Sequence, residues 1–283
     1  MDIKSNFVLS NGVKIPSIGF GSFKTTEGND ELIISEAISL GYRHIDTAAY
    51  YFNEEFIGDA IKKSNIDRGE FFITSKVWRD NLGYESTLKE FDKSLDRLKT
   101  DYLDLYLIHW PRPNNLNEDW KTLITDTWRA IEELYDEGKV RAIGVSNFLP
   151  HHLNHLMKNA RIMPMVNQLE FHPGYIQKAA VDFSQKNGIQ VEAWSPIGRA
   201  RILQEPVLIK MAEKYGVSVA QICIRFALQC NVLPLPKSSS KERMNQNLDV
   251  FNFEITEDDM HILMTLPQLG WSGEHPDRER IRL

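Results

Sequence analysis

Cysteine is scarce in this chain, and its scarcity limits how the fold can be held together. The 283 residues include two cysteines, Cys223 and Cys230, seven positions apart in a segment with helical periodicity. Two helical turns separate such Cα atoms by ~10 Å, which exceeds the ~7 Å limit for a disulfide. We therefore expect no disulfide framework, as in most cytosolic proteins.

Long hydrophobic runs and an excess of positive charge are also missing. The longest apolar stretch, Tyr102–Trp110, is interrupted by Asp104 and is far shorter than the ~20 residues of a membrane-spanning helix. The amino-terminal segment lacks the apolar run of a signal peptide. Lysine and arginine total 33 against 39 for aspartate and glutamate, which disfavours nucleic-acid binding. We expect a cytoplasmic protein with neither a membrane nor a nucleic-acid partner.

Two kinds of segment alternate along the chain. Longer segments have a period of 3.6 residues, as in Asn29–Leu40, Ser86–Leu98, Asp119–Glu137 and Gln177–Lys186. Between them lie eight short runs rich in β-branched and aromatic residues: Ser17–Gly21, Arg43–Thr47, Phe71–Val77, Leu103–His109, Val140–Ser146, Met165–Glu170, Gln190–Trp194 and Val232–Pro236. This alternation predicts an α/β fold with a parallel sheet. Eight repeats favour a (β/α)8 TIM barrel over an open doubly wound sheet.

Both ends of the chain extend beyond this repeat. Phe7–Leu9 and Val13–Ile15 flank Asn11–Gly12, a strong signal for a β-hairpin, which we expect to cover the bottom of the barrel. Two extra helices, Lys241–Leu248 and Glu257–Thr265, follow the last strand. Because no linker or charge block divides the chain, we expect residues 1–283 to form a single domain.

Polar side chains stand at the carboxyl end of nearly every predicted strand. Any one of them could be an ordinary solvated strand end, but the feature recurs around the whole barrel. The carboxyl ends of parallel barrel strands meet at one mouth, where active sites lie. The pattern therefore predicts a concave polar site built from Asp46, Lys76, His109, Ser146, Asn147, Gln168, Glu170, Trp194, Ser195 and Lys237.

Seven motifs resemble the signatures of the aldo-keto reductases in order and spacing. They run from about Gly19 to Asn247 and read GYRHIDTAAYYFNEEFIG, FFITSKVW, LDLYLIHWP, IGVSNF, VNQLEFHP, AWSPIG and LPKSSSKERMNQN. The resemblance implies an NADP(H)-dependent oxidoreductase that reduces aldehyde or ketone carbonyls to alcohols on a (β/α)8 barrel. The chain is similar to members with the short carboxyl-terminal tail of bacterial type.

Four residues match the catalytic set of that family. Reduction of a carbonyl by hydride leaves an alkoxide that needs a proton from a general acid. Tyr51 matches the family's proton donor, and its neighbour Tyr50 is the alternative. Lys76 would lower the pKa of Tyr51 by its positive charge and would itself be held by Asp46. His109 would orient the substrate oxygen. The alternative is that Asp46 and Lys76 form only a structural ion pair and that His109 is a core histidine.

The resemblance also implies how NADP(H) is held. Ser146, Asn147 and Gln168 match the residues that bind the nicotinamide carboxamide, and Trp194 matches the ring that stacks on the nicotinamide. The loop from Ser195 to Leu203 would cover the pyrophosphate. Within it, Arg199 and Arg201 either contact the cofactor or are solvated.

The adenosine end of the cofactor has its own matching residues. Lys237, Ser238 and Arg243 match the site for the 2′-phosphate, and a planar guanidinium suits phosphate oxygens. Asn247 matches an adenine contact. Gln246 departs from the family, since many members carry Glu there, but its amide oxygen can still accept a hydrogen bond.

Phe23, Trp78 and Trp110 match the aromatic walls of the substrate pocket in the family, with ordinary core packing as the alternative. The tail around Trp271 falls in the family's most variable substrate loop. We expect a small-molecule carbonyl substrate and a monomeric enzyme.

Two further patterns carry less weight. Gly19-Phe20-Gly21 begins like a dinucleotide fingerprint but has Lys24 in place of the third glycine, so we expect a turn into the barrel mouth. His151 and His155 are four residues apart on one predicted helix face, a spacing that could bind a metal. Without a third ligand in the sequence we expect no metal site.

Other activities are compatible with the same fold. An alcohol dehydrogenase would run the reaction in reverse, and a C=C reductase would keep the cofactor site. In the family, double-bond reduction accompanies Glu at the position of His109, so His109 favours carbonyl chemistry. A redox-sensing binding subunit is the non-enzymatic alternative, because a fold does not by itself determine function.

Overall fold

The computed structural model describes residues 2, 4–25, 30–113 and 119–278. Two short strands open the chain, β1 (Asn6–Val8) and β2 (Lys14–Pro16), and they pair antiparallel. Leu9 N–H donates to Val13 O at 2.9 Å across a three-residue loop in which Gly12 has φ +84°. The predicted hairpin is therefore confirmed.

Eight parallel strands form the barrel wall, and each pairs with the next in chain order. They are β3 (Phe20–Gly21), β4 (His44–Asp46), β5 (Phe72–Val77), β6 (Leu103–Ile108), β7 (Val140–Ser146), β8 (Val166–Glu170), β9 (Gln190–Trp194) and β10 (Val232–Leu235). The first and last of these strands are also joined. Gly19 N–H donates to Pro234 O at 3.0 Å, and Gly21 N–H donates to Pro236 O at 3.1 Å. The predicted (β/α)8 barrel is confirmed, and the open sheet is wrong.

The two glycines at this seam explain the partial fingerprint in the sequence. A Cβ on Gly21 would lie 2.9 Å from Leu235 O, and one on Gly19 would lie 2.6 Å from His44 Nδ1. Neither position has room for a side chain, because β10 and the barrel interior come too close. The expectation of a turn here is wrong: Phe20–Gly21 is a barrel strand.

Ten helices occur in the described residues. They are α1 (Asp30–Ser39), α2 (Glu54–Lys63), α3 (Tyr84–Leu98), α4 (Trp120–Asp136), α5 (Pro150–Asn159), α6 (Lys178–Lys186), α7 (Pro206–Tyr215), α8 (Val219–Gln229), α9 (Lys241–Leu248) and α10 (Glu257–Met264). The predicted helix start at Asn29 lies outside the described residues. None of these helices combines the length and apolar character that crossing a membrane requires. Cys223 and Cys230 are both free thiols.

The apolar core lies mainly between the helices and the outer face of the barrel. Phe91 of α3 packs edge-on against Tyr106 of β6, with ring centroids 5.0 Å apart, and Trp128 of α4 is also buried. The hairpin contacts the opposite end from the mouth, since Asn11 Nδ2 donates to the carbonyl of Arg141 at the start of β7. It therefore covers the bottom of the barrel, as expected.

Candidate active site

A large cavity opens at the carboxyl ends of the barrel strands and has a volume of about 1830 Å³. Every site residue predicted from the sequence lines it except Lys76, which lies directly beneath, and Glu170, which bonds to Ser272 instead. Strand geometry explains the convergence, because the carboxyl ends of parallel strands meet at one face of a barrel. The predicted residues in its wall are Phe23, Asp46, Tyr51, Trp78, His109, Trp110, Ser146, Asn147, Gln168, Trp194, Ser195, Lys237, Ser238, Arg243 and Asn247.

Lys76 is fully buried, and acceptors surround its ammonium group. Its Nζ donates to Asp46 Oδ1 at 2.8 Å and to Thr47 O at 2.9 Å. The third acceptor is the hydroxyl oxygen of Tyr51, at 3.5 Å. An ammonium can donate three hydrogen bonds and accept none, so these three acceptors use all the protons of Lys76. The Tyr51 oxygen receives a hydrogen bond here and keeps its own proton available for another partner.

Burial and charge act in opposite directions on these two groups. Burial disfavours the ammonium of Lys76, but Asp46 and Tyr51 together outweigh burial, so the pKa of Lys76 is raised. Burial also raises the pKa of Tyr51, and the charge of Lys76 offsets only part of that increase. Lys76 lowers the pKa of Tyr51, as expected, but burial raises it by more. Tyr51 stays protonated at neutral pH, which is the state that a proton donor needs.

The two adjacent tyrosines have different surroundings. Tyr51 ends a short 3₁₀ turn, Ala49–Tyr51, and its ring lies 5.0 Å from Lys76 Nζ. Tyr50 instead stacks on Trp78 with centroids 3.8 Å apart and is 42% exposed. The structure thus brings Tyr51, and not Tyr50, to the lysine.

His109 forms the next part of the wall. Its ring stands edge-on to Tyr51, with centroids 5.5 Å apart. Burial, followed by the charges of Lys76 and Arg79, holds the pKa of His109 well below its ordinary value. The imidazole is therefore neutral at pH 7 and can donate one hydrogen bond into the cavity.

Ser146 and Asn147 already make several contacts within the protein. Asn147 has a left-handed backbone, φ +63°, a conformation that Asn tolerates. Its Nδ2 donates to His109 O at 3.0 Å and to Ser146 Oγ at 3.1 Å. Its Oδ1 accepts from Trp194 Nε1 at 2.9 Å and so fixes the indole ring. The Ser146 hydroxyl donates to Gln168 O at 3.0 Å.

Sequence reasoning missed Glu192, which is fully buried inside the barrel. Gln168 Nε2 donates both to Asp46 Oδ2 and to Glu192 Oε2, each at 2.8 Å. Glu192 stands two positions before Trp194 on β9, so both side chains share one face of the strand. The available signal was a carboxylate in the middle of a predicted strand, away from the strand ends where the other polar residues stand.

Two cations converge at the other end of the cavity. Burial, and next the charge of Arg243, lowers the pKa of Lys237, so the two side chains are close enough to interact. The Ser240 hydroxyl accepts from Arg243 N at 3.4 Å and begins α9. Asn247 is buried further along the same helix. An anion bound here would meet both positive charges at the start of a helix.

The carboxyl-terminal tail completes the wall, and of its residues the sequence analysis named only Trp271. Ser272 is tied to Glu170, since its N–H and hydroxyl donate to the two carboxylate oxygens at 2.9 and 2.7 Å. Arg201 donates to the Trp271 carbonyl, and Arg199 pairs with Glu274 at 3.7 Å while lying over the Trp194 ring. Both arginines thus contact protein groups. The tail contributes Glu274, His275 and Arg278 to the cavity.

The histidines of α5 contact this tail. His151 and His152 reach Asp277 at 3.1 and 3.0 Å, whereas His155 lies near Thr125. His151, His152 and Asp277 form the one group with metal-like spacing in the described part of the chain. However, His152 Nδ1 accepts from Leu149 N–H, so its Nε2 carries the proton and donates it to Asp277. A nitrogen that donates a proton has no lone pair for a metal.

Comparison with known proteins identifies the family. The model of the Aldo/keto reductase family matches residues 17–266. The chain is 49% identical over 276 residues to a glyoxal reductase of Bacillus subtilis, covering 97% of each chain. A crystal structure of an aldo/keto reductase from Brucella melitensis has a TM-score of 0.85 at 44% identity, covering 92% of this chain and 98% of that one. A Bombyx mori aldo-keto reductase in complex with NADP has a TM-score of 0.86 at 31% identity, with coverage of 100% and 96%. The chain therefore belongs to the aldo/keto reductase family.

Proposed function

We propose that this protein is an NADPH-dependent reductase of aldehyde and ketone carbonyls, with Tyr51 as the proton donor. The observation that carries the proposal is the hydrogen bond from the buried Lys76 to the Tyr51 oxygen. Tyr51 lines the same cavity as Lys237 and Arg243. The NADP complex of the Bombyx mori relative supports the cofactor. The glyoxal reductase from Bacillus subtilis supports a small carbonyl substrate.

The donor set of the cavity suits NADPH. Gln168 Oε1 accepts no hydrogen bond from the residues described, and it belongs to a side chain in the cavity wall, so it can take a carboxamide N–H. Lys237 and Arg243 would hold the 2′-phosphate, with Ser238 and Asn247 beside them. Trp194 would pack against the nicotinamide, and Ser195 would lie along the pyrophosphate.

NADPH, when bound, supplies the hydride that reduces the carbonyl carbon. Tyr51 then gives its proton to the carbonyl oxygen, and the hydrogen bond from Lys76 stabilises the phenolate left behind. Asp46 keeps Lys76 charged. The neutral His109 orients the substrate oxygen by a hydrogen bond. Phe23, Trp78 and Trp110 exclude water and contact the apolar part of the substrate.

The raised pKa of Tyr51 bears on the alternatives. An alcohol dehydrogenase would need Tyr51 as a base, and a protonated tyrosine is a poor base at neutral pH. The same state suits reduction. We further propose that residues 1–283 act as one domain, because a single barrel holds the described wall of the cavity, and that the protein acts as a monomer.

Replacing Tyr51 by Phe should lower kcat by about 10²–10⁴-fold, since this is the usual contribution of a general acid. NADPH binding should persist, because the cofactor contacts come from other strands. Steady-state turnover of a generic aldehyde, measured beside a fluorescence titration with NADPH, tests this. Tyr50→Phe is the matched control and should stay active. Reversed results would assign the proton to Tyr50.

Lys76→Met should lose turnover and stability together. The substitution removes the hydrogen bond to Tyr51 and leaves the Asp46 charge buried without its cation, which costs about 3–5 kcal/mol. Adding Asp46→Asn removes that charge, so the double variant should melt at a higher temperature than Lys76→Met while staying inactive. If Lys76→Met melts like the wild type, the ion pair contributes nothing to stability.

The pH profile follows from the two shifted groups. The raised pKa of Tyr51 keeps it protonated, and the lowered pKa of His109 keeps it neutral. Therefore kcat/KM for reduction should stay flat between roughly pH 6 and pH 7.5, although an ordinary histidine titrates near 6.5. A loss of activity with an apparent pKa near that value, absent in His109→Gln, would show that His109 titrates normally.

Arg243→Ala should weaken NADPH binding by about 10- to 100-fold, since a hydrogen bond to a charged group contributes ~1.5–3 kcal/mol. NADH, which has no 2′-phosphate, should be hardly affected. Dissociation constants of both cofactors for wild type and variant test this, and salt should weaken NADPH binding more than NADH binding. Equal losses of affinity for both cofactors would mean that Arg243 does not recognise the 2′-phosphate.

A further inference from the structure

The side-chain amide of Gln168 lies between two buried carboxyl groups. Its Nε2 donates to Asp46 Oδ2 and to Glu192 Oε2, each at 2.8 Å. An amide nitrogen has two hydrogens, so both are in use. No described residue donates to its oxygen, Oε1, which is therefore left available to a ligand in the cavity that Gln168 lines.

The two carboxyl groups differ in what else they bind and in how they constrain the Gln168 amide. Asp46 already accepts from Lys76 and belongs to the ion pair beneath Tyr51. A single hydrogen bond to Asp46 would let the amide of Gln168 swing about that bond. The second bond, to Glu192, defines the amide plane and so the direction of Oε1.

Glu192 can do this without adding a charge to the interior. Burial, reinforced by the nearby Asp46, raises the pKa of Glu192 to about 8, so the carboxyl is neutral at pH 7. A neutral carboxyl still accepts a hydrogen bond through one oxygen. Its Oε1 lies 3.9 Å from His44 Nε2, and no cation other than Lys76 contributes to its pKa.

We propose that Glu192 is a positioning residue for the cofactor: it holds the Gln168 amide so that Oε1 accepts a hydrogen bond from the carboxamide N–H of the nicotinamide. This inference rests on the proposed NADP(H) site and adds to it a residue inside the barrel that does not touch the cofactor. Its effect reaches the ligand through Gln168.

The test compares two ligands and two substitutions at pH 7. The ligands are NADP⁺ and its 3-acetylpyridine analogue, in which a methyl group replaces the amide NH₂ and removes the N–H donor. Calorimetric titration should show Glu192→Leu binding NADP⁺ about 3- to 10-fold more weakly, the effect of one neutral hydrogen bond. The analogue, which has no N–H for Gln168, should bind wild type and Glu192→Leu within about 2-fold.

Glu192→Gln is the matched control. Its amide oxygen can accept from Gln168 as the neutral carboxyl does, so NADP⁺ affinity should match the wild type. Unchanged analogue binding also shows that Glu192→Leu is folded. Equal weakening of both ligands, no weakening of either, or a Glu192→Gln variant as weak as Glu192→Leu would each overturn the inference. Failure of the wild type to bind NADP⁺ would instead overturn the proposed function.

Discussion

The ion pair between Lys76 and Asp46 is the constraint on which the rest of the site depends. Two opposite charges inside a barrel lose their hydration, and such a pair persists only when further hydrogen bonds satisfy the remaining atoms. Here Thr47 O and the Tyr51 oxygen take the other protons of Lys76. Gln168 donates to Asp46 Oδ2, an oxygen that also lies 2.7 Å from Lys76 Nζ. The same bonds that keep the charges buried therefore also fix the groups around the proposed reacting centre.

Buried polar side chains also lie along the inner wall of the barrel. Bulky aliphatic side chains normally fill the layers of such a barrel, whereas here His44, Thr74, Gln168 and Glu192 are buried. His44 Nε2 and Thr74 Oγ1 are 3.0 Å apart, so they satisfy each other. The barrel interior has fewer apolar contacts, and the apolar packing that stabilises the fold lies outside the wall between strands and helices, as in the Phe91–Tyr106 pair.

Periodicity in the sequence predicted the strands and helices well, because each strand alternates with a helix and turn residues separate them. Strand β7 and helix α9 have the predicted bounds. The family resemblance supplied the residues of the cavity wall. Neither source indicated the contacts that the carboxyl-terminal tail makes with the barrel helices. Asp277 meets His152 of α5 across 125 positions, and no local pattern encodes that distance.

The direction of the Tyr51 pKa shift could not be predicted from the sequence either. A nearby lysine suggested a lowered pKa, but the shift depends on how completely the phenol is buried, and only the packed structure gives the burial. The partial dinucleotide fingerprint failed for a related reason. Gly19 and Gly21 are there because β10 and His44 leave no room for a Cβ, a constraint set by closure of the barrel.

The same closure explains why binding and proton transfer can share one cavity and still use separate residues. Hydrogen bonds from Gly19 and Gly21 bring β10 beside β3, so the cations near the start of α9 stand in the same cavity wall as Tyr51. The two ends have no residue in common, and therefore affinity for the adenosine end can change without disturbing the proton donor. Gln168 is different, because it bonds to Asp46 below Tyr51 and also faces the cavity. A substitution of Gln168 would therefore affect both the Lys76–Asp46 ion pair and the bound ligand. Through this one side chain, cofactor binding and proton transfer are physically coupled.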